Sequence, residues 1–164
     1  MKQRVFHIPV FVPHKGCPHD CVFCNQRKIT GQIEEMNAAK ARSIIDSHLE
    51  TIEKHNDRGA YHAEIAFFGG SFTAIERESM QELLSLAHGY VLSGRVNGVR
   101  CSTRPDCIDD EVLALCKSYG MTAIELGVQS ADDEVLKASN RGHTFKDVTK
   151  AAKLIKAYGM ELGL

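Results

Sequence analysis

The sequence predicts an α/β fold in which parallel strands alternate with helices. Short β-rich runs and longer amphipathic patterns follow one another along all 164 residues. Helices of this length between strands make right-handed crossovers, which produce a parallel sheet covered by helices. The hydrophobic (43%) and charged (25%) fractions are those of an ordinary globular domain, so we expect one domain over residues 1–164. Part of a barrel and an open doubly wound sheet both fit this pattern.

The first half of the chain is predicted to contain two strands and two helices. The first strand covers residues 7–12, and Asn37 is the expected N-cap of a helix over residues 38–55. The second strand, residues 63–68, ends at a glycine pair, and a helix follows over residues 76–92 with apolar residues on one face.

The second half repeats this alternation. Asp109 is the expected N-cap of one helix, and Thr144 with Asp147 resembles a capping box that opens another. The predicted strands are residues 98–103, 122–128 and 160–164, and the predicted helices are 110–119, 132–138 and 144–158. Because the sequence stops inside the fifth strand, we expect a truncated sheet with an open edge and an incomplete domain.

Charge and hydropathy narrow the classes of function. The net charge is −1 and the basic residues are scattered, so no broad positive surface is predicted and nucleic acid is neither supported nor excluded as a substrate. His7, Pro9 and Pro13 interrupt the apolar start of the chain well short of a signal peptide or a membrane span. We therefore predict a cytoplasmic protein that does not contact a membrane.

Residue types that carry chemistry follow each predicted strand. The carboxyl ends of parallel strands meet at one edge of a sheet or one mouth of a barrel, which is where ligands bind. The segments that would meet there are 17–24, Gly69-Gly70-Ser71, Ser102-Thr103-Arg104 and Gln129-Ser130.

Three of the six cysteines, Cys17, Cys21 and Cys24, lie within eight residues. Without an export signal, such cysteines more often bind metal than form disulfides. Three thiolates on one loop can hold three irons of a cubane cluster and leave the fourth iron open to a substrate or cofactor. A zinc knuckle completed by His14, His19 or a distant cysteine is the alternative.

The spacing Cys-x-x-x-Cys-x-aromatic-Cys after a first strand resembles the signature of the radical S-adenosylmethionine superfamily. The resemblance implies a (β/α) partial TIM-type barrel, here truncated near the start of strand five. It also implies a [4Fe–4S] cluster on Cys17, Cys21 and Cys24, whose open iron binds S-adenosylmethionine. An electron donor such as flavodoxin or ferredoxin would then drive cleavage of that cofactor to a 5′-deoxyadenosyl radical for hydrogen abstraction.

The same resemblance implies roles for residues after the first three strands. Phe23 would pack near the adenine, and the backbone of Gly69 and Gly70 would meet the amino group of the cofactor, since glycine permits the closest approach. Ser102 and Arg104 would contact its ribose or carboxylate. The alternatives are a plain strand-to-helix turn for the glycines and a surface arginine before a Pro-Asp turn for Arg104.

The segments 125–130 and 140–143 resemble elongator catalytic subunits and oxygen-independent coproporphyrinogen III oxidases. This implies that Gln129 and Arg141 reach the cofactor, and it makes tRNA a candidate substrate. Otherwise Gln129 would satisfy loop backbone and Arg141 would be solvated. Elongator subunits have a wider interval between their first two cluster cysteines and an added acetyltransferase domain, and the oxidases have a cysteine where Asn25 stands here. The substrate therefore stays open, as do a non-catalytic zinc or iron–sulfur module and an inactive fragment.

The other cysteines do not predict a second cluster, because they are not closely spaced. Cys116 shares a helix face with apolar residues and is predicted to lie in the core. Cys101 could face the core or the barrel interior, and Cys107 could be exposed.

Overall fold

Five parallel strands form one sheet whose spatial order, β1-β2-β3-β4-β5, follows the chain. The computed structural model describes residues 4–12, 21–24, 36–56 and 61–164. The strands are β1 (Arg4–Phe11), β2 (Tyr61–Phe68), β3 (Gly98–Thr103), β4 (Met121–Leu126) and β5 (Glu161–Gly163). A doubly wound sheet reverses its strand order, and this sheet does not. The barrel-type arrangement is therefore confirmed over the open doubly wound one.

One helix follows each of β1, β2 and β3, two follow β4, and all five match the predicted segments to within one residue. They are α1 (Ala38–His55), α2 (Arg77–Leu92), α3 (Asp110–Ser118), α4 (Asp133–Ala138) and α5 (Phe145–Ala157). Short 3₁₀ turns, Phe72–Ala74 and Pro105–Cys107, follow β2 and β3. None of these described helices is long and apolar enough to cross a membrane.

The predicted helix caps are confirmed. The Asn37 side chain accepts a hydrogen bond from the Lys40 backbone N–H at 3.0 Å, and Asp109 accepts one from Val112 at 2.8 Å. Thr144 starts α5 with both bonds of a capping box. Each cap satisfies a backbone N–H that has no partner within its own helix.

One face of the sheet packs against the helices and forms the core. Along each strand, every second side chain points into this core. The core contains these strand residues and the helix residues that cover them, among them Ile8, Val10, Ile65, Phe67, Val99, Leu49, Leu83, Leu84 and Leu113. Cys101 and Cys116 are fully buried in this core. The prediction for Cys116 is therefore confirmed, and Cys101 faces the core rather than the barrel interior. The intervening strand residues, Glu64, Arg100 and Ser102 among them, face the other side of the sheet.

The described boundaries differ from the predicted ones at every strand except β3, and by two residues or more at β1, β2 and β4. Strand β1 begins at Arg4, because Arg4 already pairs with Tyr61 of β2. Strand β4 ends at Leu126 rather than at Val128, since the Val128 N–H folds back onto the Leu126 carbonyl oxygen at 2.9 Å. The chain therefore turns two residues early, directly before Gln129.

Candidate active site

A cavity of about 470 Å³ opens at the carboxyl ends of the strands. Its volume lies within the range of small-molecule sites. Nine residues predicted from sequence line it: Cys21, Phe23, Cys24, Gly69, Gly70, Ser102, Arg104, Gln129 and Arg141. Cys17 lies outside the described residues, as do His14 and His19 of the zinc alternative. The structure thus brings together every predicted site residue that it describes.

The cysteine loop is anchored to the chain that follows α4. Cys21 is buried and Cys24 is half-buried, and the Cys24 N–H donates to the Cys21 carbonyl oxygen at 2.9 Å. The Val22 N–H donates to the Ser139 carbonyl oxygen at 3.2 Å. This turn sets both thiols at the wall of the cavity.

The first glycine after β2 is required by the geometry of the chain. Gly69 has φ +104°, and a Cβ atom there would lie 2.6 Å from the Phe11 ring. Only glycine adopts this conformation without strain. The close Phe11 ring therefore gives a steric reason for glycine at residue 69. This reason is additional to the predicted close approach of a cofactor.

Arg104 is almost fully buried, with 2% of its surface exposed, so the alternative of a surface arginine is wrong. Its Nε donates to the Asp106 carboxylate at 3.0 Å and one Nη donates to the same carboxylate at 3.1 Å. The same Nη also donates to the backbone carbonyl oxygen of Arg141. Such a two-pronged charged pair fixes the plane of a guanidinium group.

Arg141 is also buried, with 8% exposed, which excludes the solvated alternative. Its guanidinium donates to the Gly127 carbonyl oxygen at 2.5 Å and to the Cys21 Sγ atom at 3.5 Å. The centre of the guanidinium lies 5.8 Å from the centroid of the Phe23 ring, within the range of a cation–π contact. The Arg141 Nε has no hydrogen-bond partner among the described residues.

Gln129 lies in an exposed turn and has φ +70°. A non-glycine residue in this left-handed region costs about 1–3 kcal/mol and is found preferentially at functional sites. Gln129 lines the cavity, and its backbone has already left the strand.

A buried histidine lies behind the two arginines. The His143 side chain is fully buried, and its Nδ1 is 3.8 Å from the Asp106 carboxylate. Burial and the nearby charge of Arg141 lower the pKa of His143, although Asp106 opposes this effect. The net effect favours the neutral imidazole.

Sequence reasoning missed a group of charged side chains on the sheet face below the strand ends. Glu64 accepts hydrogen bonds at 2.8 Å from Arg100 and from Thr122, and Arg100 donates to Glu125 at 2.8 Å. We call Glu64, Arg100 and Glu125 the Glu64 ion network; Arg100 and Glu125 line the cavity. A glutamate inside the apolar run 61–68 was the sequence signal, since a buried charge needs a partner.

The donor set fits a cluster and S-adenosylmethionine. Within the described ranges, no three His, Cys, Asp or Glu side chains are grouped to hold a metal ion. Two cysteine side chains, which offer soft sulfur ligands, nevertheless lie at one wall of the cavity, and the third cysteine of the motif lies outside those ranges. A buried arginine, Arg141, lines the same space, and its positive charge suits the carboxylate of S-adenosylmethionine.

Comparison with known proteins gives relatives over nearly the whole chain. An uncharacterized protein of Methanocaldococcus jannaschii is 30% identical over 161 residues, which cover 93% of this chain and 48% of that protein. The tRNA uridine(34) acetyltransferase of Methanocaldococcus infernus is 30% identical, over 94% of this chain and 35% of that protein. The chain thus spans about half, or less, of the length of these relatives.

A solved structure has the same fold. The archaeal Elp3 of Methanocaldococcus infernus superimposes with a TM-score of 0.64 at 22% identity, over 99% of this chain and 37% of that one. The profile of the Radical SAM superfamily matches residues 11–163. The chain therefore belongs to the Radical SAM superfamily, whose enzymes use S-adenosylmethionine and a [4Fe–4S] cluster.

Proposed function

We propose that Cys17, Cys21 and Cys24 of this chain hold a [4Fe–4S] cluster and that the chain cleaves S-adenosylmethionine reductively. The observation that carries the proposal is the convergence of the nine predicted site residues on one cavity, although they come from separate segments of the chain. When bound, the cluster supplies the electron that generates a 5′-deoxyadenosyl radical for hydrogen abstraction from a substrate. The protein contributes binding, orientation and exclusion of water.

Arg141, Gln129 and Ser102 supply the polar contacts at the cavity. Arg141 lines the cavity with a positive charge that attracts the carboxylate of the cofactor, and the fixed plane of its guanidinium limits the orientations which that carboxylate can adopt. Gln129 and Ser102 face the same cavity and offer neutral hydrogen bonds for the ribose and the amino acid portion. Phe23 is half-exposed beside Arg141, so an adenine can stack on its free face.

The proposed setting is cytoplasmic, with flavodoxin or ferredoxin as the electron donor and tRNA as the substrate class. Similarity to the tRNA uridine(34) acetyltransferase of M. infernus supports the substrate class. If tRNA is the substrate, added tRNA should accelerate the formation of 5′-deoxyadenosine. A rate that tRNA leaves unchanged would contradict this part of the proposal.

The cluster assignment is tested with two cysteine variants reconstituted anaerobically with iron and sulfide. Cys21→Ala should lose the cluster, because two thiolates do not hold the cubane. Cys107→Ala is the matched control: Cys107 is half-buried, does not line the cavity, and its loss should leave four irons per chain. Full iron in Cys21→Ala, or stoichiometric zinc in the unaltered protein, would contradict the assignment.

Cofactor binding is tested separately from the cluster. Gln129→Ala should keep full iron and weaken the binding of S-adenosylmethionine, because the amide lines the cavity without contacting either described cysteine. An unchanged affinity in this variant would remove Gln129 from the site.

A further inference from the structure

Arg141 places a positive charge directly against a cysteine sulfur. Its Nη1 lies 3.5 Å from the Cys21 Sγ atom, which is a hydrogen-bonding distance for sulfur. Both residues are buried, Arg141 with 8% and Cys21 with 5% of their surfaces exposed. Water therefore screens this contact weakly.

The guanidinium is held in place by contacts that do not involve a cofactor. Its Nη2 donates to the Gly127 carbonyl oxygen at 2.5 Å, and the backbone N–H of Arg141 donates to the Leu136 carbonyl oxygen at 3.0 Å. The backbone carbonyl oxygen of Arg141 accepts a hydrogen bond from Arg104, which Asp106 holds in turn. Backbone and side chain of Arg141 are thus fixed from three sides.

The two buried arginines therefore have different tasks. Arg104 uses its guanidinium on Asp106 and on the backbone of Arg141, whereas Arg141 directs its own guanidinium at Cys21 and the cavity. Arg104 acts on the site through Arg141, which makes it a positioning residue.

A cation that donates to a cluster sulfur changes the redox equilibrium. One-electron reduction makes a cluster more negative, so a nearby positive charge stabilises the reduced form more than the oxidised form. Hydrogen bonds to ligating sulfurs act in the same direction, because they withdraw electron density from the irons.

We propose that Arg141 raises the reduction potential of the cluster through its contact with the Cys21 sulfur, and that Arg104 positions Arg141 for this task. The inference rests on the proposed function, since it requires a cluster on Cys21. It assigns Arg141 a task that precedes cofactor binding.

The test is a redox titration of the reconstituted protein with dithionite in the absence of S-adenosylmethionine, followed by electron paramagnetic resonance. Arg141→Gln should lower the equilibrium constant for reduction at least tenfold, which is a shift of about 59 mV to more negative potential. Arg104→Gln should shift the potential in the same direction by a smaller amount, because Arg141 keeps its charge but loses one of its supports.

Arg95→Gln is the matched control. Arg95 is a partly buried arginine that pairs with Asp46 and Glu53 and does not line the cavity. Its replacement removes the same charge from the protein, and the potential should stay at the wild-type value. A shift as large as that of Arg141→Gln would show a general charge effect and overturn the proposal.

Two other results would also overturn it. One is an Arg141→Gln protein with four irons and an unchanged potential. The other is loss of iron in both Arg141→Gln and Arg141→Lys, which would make Arg141 a structural residue. Failure of the proposed function is distinguishable from these, since the wild-type protein would then have no reducible cluster.

Discussion

Replacing Glu64 by glutamine removes the negative charge at the centre of the Glu64 ion network. The Glu64 carboxylate is 7% exposed and accepts hydrogen bonds at 2.8 Å from Arg100 and Thr122. Two histidines, His7 and His62, lie 3.6 Å from it. The change leaves the Arg100 guanidinium, which is 12% exposed, with Glu125 as its close partner.

The size of the effect follows from these contacts. Removing one partner of a buried ion pair costs about 3–5 kcal/mol, and we expect the lower end because Glu125 remains. A loss of about 3 kcal/mol lowers the Tm by about 6–12 °C in a chain of this size. The control is Glu53→Gln, since Glu53 pairs with Arg95 but is 23% exposed, and its loss should cost about 0.5 kcal/mol.

The pH dependence provides a second measurement on the same variant. Burial raises the pKa of Glu64, but the hydrogen bond from Thr122 and the charge of Arg100 outweigh burial and hold that pKa below its usual value. The stabilisation by the carboxylate is therefore complete above the unfolded-state pKa of about 4.3 and is lost as the pH falls through the lower folded-state pKa. Below about pH 4.3 the difference between wild type and Glu64→Gln should therefore shrink.

The assay is urea unfolding of metal-free protein, so that bound cofactors add nothing to the stability. The reasoning is refuted if Glu64→Gln and Glu53→Gln cost the same. It is also refuted if the difference between wild type and Glu64→Gln does not shrink as the pH falls below about 4.

Three further predictions concern the core, a cap and the site. Burial raises the pKa of the Cys116 thiol to about 11 and that of Cys101 well above its usual range. Both thiols should therefore resist iodoacetamide at pH 8 until urea is added. Labelling of either cysteine in the native protein, read by mass spectrometry, would contradict this. Thr144→Ala should cost about 1 kcal/mol in urea unfolding, because the capping box is lost, and no loss would show that the cap is irrelevant. A Cβ on residue 127 would lie 3.4 Å from the Arg141 Nη2. Gly127→Ala should therefore weaken the binding of S-adenosylmethionine about tenfold, or about 1.4 kcal/mol, while the iron content of the protein stays complete. Equal affinity in the variant and the wild type would disprove the reasoning.

The alternation of strands and helices could be predicted because local signals agreed with the tertiary fold. Asn37 and Asp109 are good N-caps in isolation, and the structure uses both as caps. The choice between a barrel-type and a doubly wound sheet needed the strand order. Strand order depends on long-range pairing and cannot be derived from local periodicity. The end of β4 was misplaced for a similar reason, since Val128 is apolar but its backbone turns.

The residues of the site could be predicted because strand ends and motif spacing placed them at one edge of the sheet. Their partners could not be predicted in the same way. The hydrogen bond from Arg104 to the backbone of Arg141 spans 37 positions of sequence, and no spacing rule anticipates it. The link between Arg141 and Cys21 spans 120 positions and is likewise visible only in three dimensions.

The most direct test of the cluster and its cofactor is electron paramagnetic resonance of the anaerobically reconstituted and reduced protein, with and without S-adenosylmethionine. We predict a [4Fe–4S] signal that shifts when the cofactor is added, since the proposed three-cysteine site leaves one iron without a protein ligand. A signal that the cofactor leaves unchanged, or stoichiometric zinc in place of iron, would contradict the account.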